Sequence, residues 1–330
     1  MIQEKYMRRA IQLARNGEGF AHPNPMVGAV ITAPDGRIIG EGWHRRWGEP
    51  HAEVNAIASV SDSDRHLLRE ATIYVTLEPC SHYGKTPPCA KLIIDTGIPR
   101  VVVGAGDPFP KVAGHGIRMM REAGIEVTEG VLAEECRALN ERFMTAHTLG
   151  RPFIQLKWAQ SADGKMAAGT PGHMHPVKFS SPVTSVLMHR ERAAADAILV
   201  GTDTVIIDNP SLTVRLWPGA DPLKVTWVST RLPSDARILN ERHVLLDPTL
   251  PLEESMKVLY RDHGVTSLMV EGGAATLRSF IESGLWDEIR TETSPDILGQ
   301  GADAPAIPSG AHETEVTTVG KNRIRIVKKT

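Results

Sequence analysis

The sequence has few of the features that mark secreted, membrane-spanning or nucleic-acid-binding proteins. Its 330 residues contain three cysteines, too few for a disulfide framework, and no apolar run of about eighteen residues that could span a membrane. The N-terminal segment 1–17 carries charges throughout, so we expect no signal peptide and a cytoplasmic location. The net charge of −2 and the aromatic content of 5% argue against a large nucleic-acid-binding surface.

The length and the order of the expected elements indicate two α/β domains. A hydrophobic content of 41% and a charged content of 23% are ordinary for a globular protein of this size. Apolar, β-branched segments alternate with helical patterns in both halves, which is typical of layered α/β sheets. Gly150 and Pro152 end the first series. We therefore place a first domain at 1–147 and a second domain at 151–330.

Three segments carry specific expectations about local structure. The polar segment 134–148 predicts one helix, in which Cys136 has no candidate partner and is expected to be a plain thiol. The segment 314–329 alternates and predicts one final edge strand. The segment 166–179 predicts an exposed loop, although His173 and His175 within it leave a second metal site as an alternative.

Three segments of the first half together predict a hydrolytic zinc site. His51 and Glu53 open a helical pattern, Cys80 follows Pro79 at the end of an expected strand, and Cys89 precedes another helix. One histidine and two cysteines can hold Zn²⁺ and leave its fourth position for water. Glu53, two residues from His51, can move a proton from that water to the leaving amine. This pattern is typical of zinc nucleobase deaminases, with an inactivated or purely structural site as the alternative.

The loop between the two cysteines is longer than the two-residue gap of simple nucleobase deaminases. It contains His82, Lys85 and hydroxyl side chains, which suit a phosphate group. We therefore predict that His82 and Lys85 bind a phosphorylated substrate, with a solvated turn as the alternative.

The first half resembles the deaminase half of the bifunctional deaminase–reductases of riboflavin biosynthesis. The resemblance is carried by HPNPMVGAV, GWH, HAE and TLEPCSHYGKTPPC, in this order, and covers most of residues 1–145. It implies a cytidine-deaminase-like three-layer α/β/α fold and deamination of a diaminopyrimidinone ribosylamine phosphate. It also implies that Asn24 contacts the pyrimidine, that His51, Cys80 and Cys89 bind zinc, and that Glu53 is the proton shuttle.

In the second half, a turn between an expected strand and a helix is one of three informative segments, beside 161–165 and 200–215. Glu271 precedes Gly272 and Gly273, and glycines there let a phosphate approach the helix N-terminus. Many such turns are only structural. The sequence has no Gly-x-Gly-x-x-Gly motif, so the usual Rossmann fingerprint is missing.

The second half resembles the reductase domain of the same family through SADGK, VGTDTVIIDNPSLTVR and LMVEGGAATLRSFIESGLWDEI. This resemblance covers roughly residues 150–300 and implies an α/β fold similar to dihydrofolate reductase, with NADPH-dependent reduction of the ribose to ribitol. It implies NADPH contacts at Ala159, Thr204, Asp208, Thr230, Gly273, Ala274, Ala275, Thr276, Leu277, Arg278 and Ser279. It implies substrate contacts at Arg192, Leu212, Arg215 and Glu271. The segment 166–179 departs from the family, so no contact is transferred to it.

Two other functions stay open at this point. One is an active deaminase whose reductase half is degenerate and serves for oligomerisation or substrate holding, which the altered 166–179 segment favours. The other is a polynucleotide-editing deaminase, against which the composition argues. The leading expectation is a bifunctional zinc hydrolase and NADPH-dependent oxidoreductase. It would act on a small phosphoribosylated pyrimidine, form homo-oligomers, and bind neither nucleic acid nor membrane.

Overall fold

The polypeptide divides into two units, Met1–Leu149 and Gly150–Thr330. The computed structural model describes residues 4–82, 87–109, 113–170, 173–239 and 242–329. Within these ranges, each helix is too short or too polar to cross a membrane.

A five-stranded sheet organises the first unit. Its strands are β1 (Gly28–Thr32), β2 (Ile38–Trp43), β3 (Thr72–Leu77), β4 (Arg100–Ala105) and β5 (Glu126–Thr128). Its helices are α1 (Glu4–Ala14), α2 (Ala52–Ala58), α3 (Cys89–Thr96), α4 (His115–Glu122), α5 (Ala133–Leu139) and α6 (Glu141–Leu149). The strand order is β2-β1-β3-β4-β5. β1 pairs antiparallel with β2 and β3, whereas β3, β4 and β5 are parallel.

Helices cover both faces of this sheet, so the unit has three layers. On one face Ile31 belongs to a core that includes Ala56 of α2 and Ile93 of α3. On the other face Val30 belongs to a core that includes Met7 of α1. Successive strand residues point to opposite faces, which is why the neighbours Val30 and Ile31 lie in different layers. The expected α/β/α arrangement is confirmed.

The expectation of one helix over 134–148 is wrong, because the helix breaks at Asn140. This residue adopts φ −122° and ψ 34° between α5 and α6. Its side-chain oxygen accepts a hydrogen bond from the Met26 amide at 2.7 Å, and its side-chain nitrogen donates to the Met26 carbonyl at 2.8 Å. These two bonds join Asn140 to a segment 114 positions away. The apolar periodicity of 134–148 is local, so it does not predict this contact or the helix break that accompanies it.

Among the described residues, the second unit contains eleven strands and four α-helices. Its strands are β6 (Phe153–Gln160), β7 (Lys165–Thr170), β8 (His173–Pro176), β9 (Ala197–Leu199), β10 (Leu223–Trp227), β11 (His243–Leu246), β12 (Ser267–Val270), β13 (Glu288–Thr293), β14 (Gly301–Asp303), β15 (Ala311–Val319) and β16 (Asn322–Lys329). Its helices are α7 (Pro182–Ala193), α8 (Thr202–Asp208), α9 (Leu252–His263) and α10 (Ala274–Glu282).

Eight of these strands form one sheet in the order β11-β10-β9-β12-β6-β13-β16-β15. The six strands from β11 to β13 are parallel, and β16 and β15 complete the sheet in antiparallel orientation. Leu156, Leu199 and Val270 of the sheet share a core with Phe280 of α10. Because six strands run in one direction, the loops at their carboxyl ends lie along one edge of the sheet. The α/β class expected for this half is confirmed.

Two expectations about strands in this unit are wrong. The segment 314–329 is not one strand, because β15 and β16 form a hairpin that turns at Gly320, where φ is 63°. The segment 166–179 is not a loop at 166–170 and 173–176, because β7 pairs with β8 and with β14 in a three-stranded sheet. His173 and His175 lie on β8 and are exposed. The short, glycine-containing strand β7 lacks the apolar alternation that predicts a strand.

Candidate active sites

The candidate metal ligands of the first unit lie at the ends of three elements. His51 directly precedes α2, Cys80 follows the end of β3, and Cys89 is the first residue of α3. His51 Nδ1 lies 3.7 Å from Cys80 Sγ and 3.4 Å from Cys89 Sγ. The three ligand atoms all lie within 4.8 Å of one another. The fold thus brings together the three residues that the sequence singles out.

This donor set fits a zinc ion. Zinc binds sulfur at about 2.3 Å and imidazole nitrogen at about 2.0–2.1 Å, so tetrahedral ligand atoms lie roughly 3.5 Å apart. The two nitrogen–sulfur distances from His51 match that spacing. Among the described residues, no other group of three histidine, cysteine or acidic side chains lies close enough to hold an ion. The alternative metal site at His173 and His175 therefore gains no support.

The pKa values of the two thiols are shifted in opposite directions. The hydrogen bond with Cys89 lowers the pKa of Cys80 to about 4 against the effect of burial, and His51 contributes in the same direction. The hydrogen bond to Cys80 and burial raise the pKa of Cys89. A dication between the two sulfur atoms would stabilise both as thiolates, the form that binds metal.

A buried carboxyl group lies beside this cluster. Glu53 stands in the first turn of α2 and is 3% exposed. Burial raises the pKa of its carboxyl group, and the charge of Cys80 raises it further. The carboxyl group also interacts with the thiol of Cys89. A carboxyl group in this position can exchange protons with a water molecule or a substrate held at the cluster.

Asn24 is connected to the cluster through His44. Asn24 Nδ2 lies 3.1 Å from His44 Nε2, and His44 Nδ1 lies 3.2 Å from the Pro50 carbonyl oxygen. Since the amide nitrogen donates, Nε2 accepts and Nδ1 carries the ring proton. Burial lowers the pKa of His44, and its ring meets the ring of His51 edge-on, with centroids 5.3 Å apart. His44 is the histidine of the GWH segment, and the sequence alone predicts no role for it.

A second buried carboxylate, Glu78, was not singled out by the sequence either. It is 4% exposed, and its oxygens accept hydrogen bonds at 2.9–3.4 Å from the backbone amides of Asp107, Gly114, Gly116 and Ile117. These bonds hold the start of α4 next to the segment that carries Cys80. Because these partners are backbone amides 29 to 39 positions along the chain, the sequence around Glu78 does not indicate them.

Of the two residues predicted to bind phosphate, the structure describes His82. His82 is exposed and interacts electrostatically with Asp107, whose pKa burial raises to about 6. Lys85 lies outside the described residues.

The second unit has a cavity of about 370 Å³ along the carboxyl edge of its parallel strands. Four of the residues for which the resemblance implies cofactor contacts line it: Thr204, Gly273, Ala275 and Thr276. The amide of Gly273, the residue before α10, donates to Thr204 Oγ1 at 3.0 Å. Asp203, Trp227, Ser229 and Arg231 also line the cavity, and the sequence did not identify them.

The remaining cofactor residues implied by the resemblance do not line this cavity: Ala159, Asp208, Thr230, Ala274, Leu277, Arg278 and Ser279. Thr230 stands between the lining residues Ser229 and Arg231. The side chain of Leu277 is fully buried in the core, and Arg278 donates to the Asp303 carbonyl at 2.9 Å.

Two of the expected substrate residues, Arg192 and Glu271, form an ion pair with side-chain exposures of 9% and 11%. Lys157 on β6 faces the same group of charges. Burial lowers the pKa of Lys157, whereas Glu271 raises it. These three residues come from α7, β6 and the turn after β12, and together they form a charged cluster at the carboxyl edge of the sheet.

The other two expected substrate residues, Leu212 and Arg215, lie in the loop after α8. Leu212 is 3% exposed and packs into a hydrophobic cluster. Arg215 is exposed, and its Nη1 donates to the hydroxyls of Ser211 and Thr213 at 2.6 Å each. Its backbone amide donates to His189 Nδ1 at 3.1 Å. The loop therefore holds the guanidinium group of Arg215 at the surface.

Two protein families match this chain. "Cytidine and deoxycytidylate deaminase zinc-binding region" matches residues 1–105, and "RibD C-terminal domain" matches residues 152–326. The riboflavin biosynthesis protein RibD of Aquifex aeolicus is 40% identical over 327 residues, covering 91% of this chain and 89% of that protein. The Escherichia coli protein of the same name is 36% identical over 345 residues, covering 92% and 90%.

Solved structures are similar over nearly the whole chain. RibD from Acinetobacter baumannii is 32% identical with a TM-score of 0.87, covering 99% of this chain and 98% of that one. A diaminohydroxyphosphoribosylaminopyrimidine deaminase/5-amino-6-(5-phosphoribosylamino)uracil reductase from Thermotoga maritima is 36% identical with a TM-score of 0.85 and the same coverages. Both matches include both units of the chain.

Proposed function

The chain belongs to the RibD family of riboflavin biosynthesis proteins, and we propose that it catalyses two consecutive reactions, one in each unit. The first is hydrolytic deamination of a diaminopyrimidinone ribosylamine phosphate, in which the oxygen of water replaces an amino group that leaves as ammonia. The second is NADPH-dependent reduction of the ribosyl group to a ribityl group. The convergence of His51, Cys80 and Cys89 beside the buried Glu53 carries the proposal.

In the proposed deaminase site, His51, Cys80 and Cys89 hold zinc. When bound, zinc supplies the Lewis acidity that activates water at neutral pH. Glu53 would take up a proton from the attacking water and deliver it to the departing amine, since its carboxyl group lies beside the three residues that would hold zinc. Burial keeps bulk water from competing for this proton, because the side chain is 3% exposed.

The pyrimidine would be oriented by Asn24. Its side-chain nitrogen donates to His44. The side-chain oxygen of Asn24 can then accept a hydrogen bond from an amino group of the substrate. His44 holds this orientation because its own Nδ1 is fixed by the Pro50 carbonyl. His82 and Lys85 would bind the phosphate group of the substrate, since both can donate to its oxygens.

In the proposed reductase site, the cavity lined by Thr204 and Gly273 binds NADPH. The nine-residue helix α10 begins at this cavity, and a helix N-terminus favours a phosphate group. Close packing supports this part of the wall: a Cβ atom added to Gly201 would lie 2.3 Å from Thr276 Oγ1. The cations Lys157, Arg192 and Arg215 would bind the phosphate group of the substrate, and Glu271, which pairs with Arg192, would accept hydrogen bonds from the hydroxyls of its sugar.

A degenerate second unit is the less supported alternative. The "RibD C-terminal domain" family matches residues 152–326, and residues 166–170 and 173–176 of the altered segment belong to β7 and β8. NADPH oxidation on addition of the deaminated substrate tests this point directly, because a degenerate unit would leave NADPH unoxidised.

The variant Glu53→Gln tests the deaminase assignment. The amide keeps the size of the side chain but cannot take up a proton, so deamination should fall by roughly 10²–10⁴-fold. Zinc content, measured by mass spectrometry of the metal, should stay unchanged. The matched control is Glu122→Gln, an exposed glutamate on α4, which should keep full activity. Loss of zinc in Glu53→Gln would make Glu53 a ligand, and unchanged deamination would remove it from the mechanism.

A further inference from the structure

An ion pair lies in the wall of the cavity in the second unit. Arg231 Nη2 is 2.7 Å from Asp203 Oδ1, and the two side chains are 66% and 68% exposed. Both residues line the cavity together with Thr204, Gly273 and Thr276. Asp203 lies in the first turn of α8, after β9, and Arg231 follows β10. The pair therefore joins two neighbouring strand ends of the parallel sheet.

These two residues dominate the charge of the cavity. Among the described residues that line it, Arg231 is the one cation and Asp203 the one anion. The pair is held by a single hydrogen bond between exposed groups, and such pairs are easily exchanged for other partners. A ligand that enters this part of the cavity therefore meets a guanidinium group and a carboxylate that can separate.

We propose that Arg231 and Asp203 set the selectivity of this cavity between dinucleotides with and without a phosphate on the adenosine ribose. Arg231 binds the 2′-phosphate, and Asp203 competes with that phosphate for Arg231. This inference rests on the proposed function, in which the cavity holds a nicotinamide dinucleotide.

The chemistry of the two groups favours opposite ligands. A guanidinium group binds phosphate oxygens at two points, whereas a carboxylate accepts hydrogen bonds from the hydroxyls of an unphosphorylated ribose. A carboxylate also repels a phosphate dianion close by. With both groups in one wall, the phosphorylated nucleotide must displace Asp203 from Arg231. The wild-type cavity should therefore prefer the 2′-phosphate less strongly than a cavity with the arginine alone.

Calorimetric titration of the full chain with 2′,5′-ADP and 5′-ADP measures this selectivity without turnover. Arg231→Met should weaken binding of 2′,5′-ADP by about tenfold or more, and change binding of 5′-ADP by less than about twofold. Asp203→Asn should tighten binding of 2′,5′-ADP by roughly threefold to tenfold and leave 5′-ADP unchanged or weaker. The matched control is Arg261→Met, which removes an equally exposed arginine from a 2.7 Å pair with Asp262 on α9.

The outcomes separate this inference from the proposed function. One outcome is that wild type binds both fragments while Arg231→Met weakens both equally or weakens neither of them. In that case Arg231 does not select the phosphate, and this inference fails while the proposed function stands. If Asp203→Asn weakens 2′,5′-ADP, Asp203 is a positioning residue and the proposed competition is wrong. If wild type binds neither fragment nor NADPH, the cavity is not the dinucleotide site and both proposals fail together.

Discussion

The guanidinium group of Arg192 binds the carboxylate of Glu271 at two points, with Nη2 2.6 Å from Oε2 and Nε 3.1 Å from Oε1. The resemblance implies substrate contacts for both residues, yet each already meets the other. The third nitrogen of Arg192, Nη1, donates to the Thr213 carbonyl at 3.3 Å. Each of the three guanidinium nitrogens of Arg192 thus has a partner within the protein, and we expect Arg192 to orient Glu271 as well as to meet a substrate itself.

Arg192→Met should destabilise the second unit. The substitution roughly keeps the volume of the side chain but leaves the Glu271 carboxylate buried with Lys157 as its main remaining cation, which costs about 3 kcal/mol of unfolding free energy. Urea unfolding followed by tryptophan fluorescence measures the loss. Arg190→Met, at an arginine on the same helix that is 51% exposed, should be nearly neutral. Equal stability of the two variants would show that the Arg192 pair contributes nothing net.

The same pair predicts how stability changes in acid. Burial alone would raise the pKa of Glu271, but Arg192 and Lys157 lower it to about 2 from a usual 4.5. Because the folded pKa is depressed, this contribution is fully present above pH 4.5 and is lost as the pH falls towards 2. Its size is about 3 kcal/mol, from 1.36 kcal/mol per pKa unit. The unfolding free energy of Glu271→Gln should therefore fall less between pH 5 and pH 3 than that of wild type, and an identical slope would contradict this.

The convergence of His51, Cys80 and Cys89 could be predicted from the sequence, because each residue stands in a short motif at the end of an element. His51 and Glu53 are two positions apart at the start of α2, so one local pattern carries both. Cys80 and Cys89 follow a strand and open a helix. The α/β layers were predictable for a similar reason, since apolar periodicity is local.

Relationships between distant segments could not be predicted in the same way. Arg192 and Glu271 are 79 positions apart, and each carries only the signal of a charged residue near a strand or helix end. The helix break at Asn140 depends on hydrogen bonds to Met26. Arg231 and Asp203 come within 2.7 Å of each other because β9 pairs with β10, and this pairing is a property of the folded sheet.

Cys89→Ser should separate the two activities. The metal would lose one of its three protein ligands, so zinc content should fall from about one per chain to a small fraction, and deamination should fall with it. NADPH-dependent reduction of supplied deaminated substrate should persist, because the reductase residues lie in the other unit. Cys136→Ala is the control: this thiol is fully buried in the first unit, outside the cluster, so the variant should keep zinc. Full deaminase activity of zinc-free protein would contradict the metal assignment.

Arg215→Met tests whether the exposed arginine after α8 binds the phosphate of the reductase substrate. The hydroxyls of Ser211 and Thr213 hold its Nη1 at 2.6 Å, so the guanidinium group is already oriented before a ligand arrives. Charge-assisted hydrogen bonds contribute about 1.5–3 kcal/mol each, so the variant should raise the Michaelis constant of reduction by about tenfold or more. Steady-state NADPH oxidation against substrate concentration measures the change, and deamination should stay at the wild-type rate. Thr213→Val removes one orienting hydroxyl but keeps the charge, so its effect should be in the same direction and smaller. If Arg215→Met leaves the Michaelis constant unchanged, Arg215 is only a surface residue held by its own loop, and the substrate contacts transferred to this unit lose their main support.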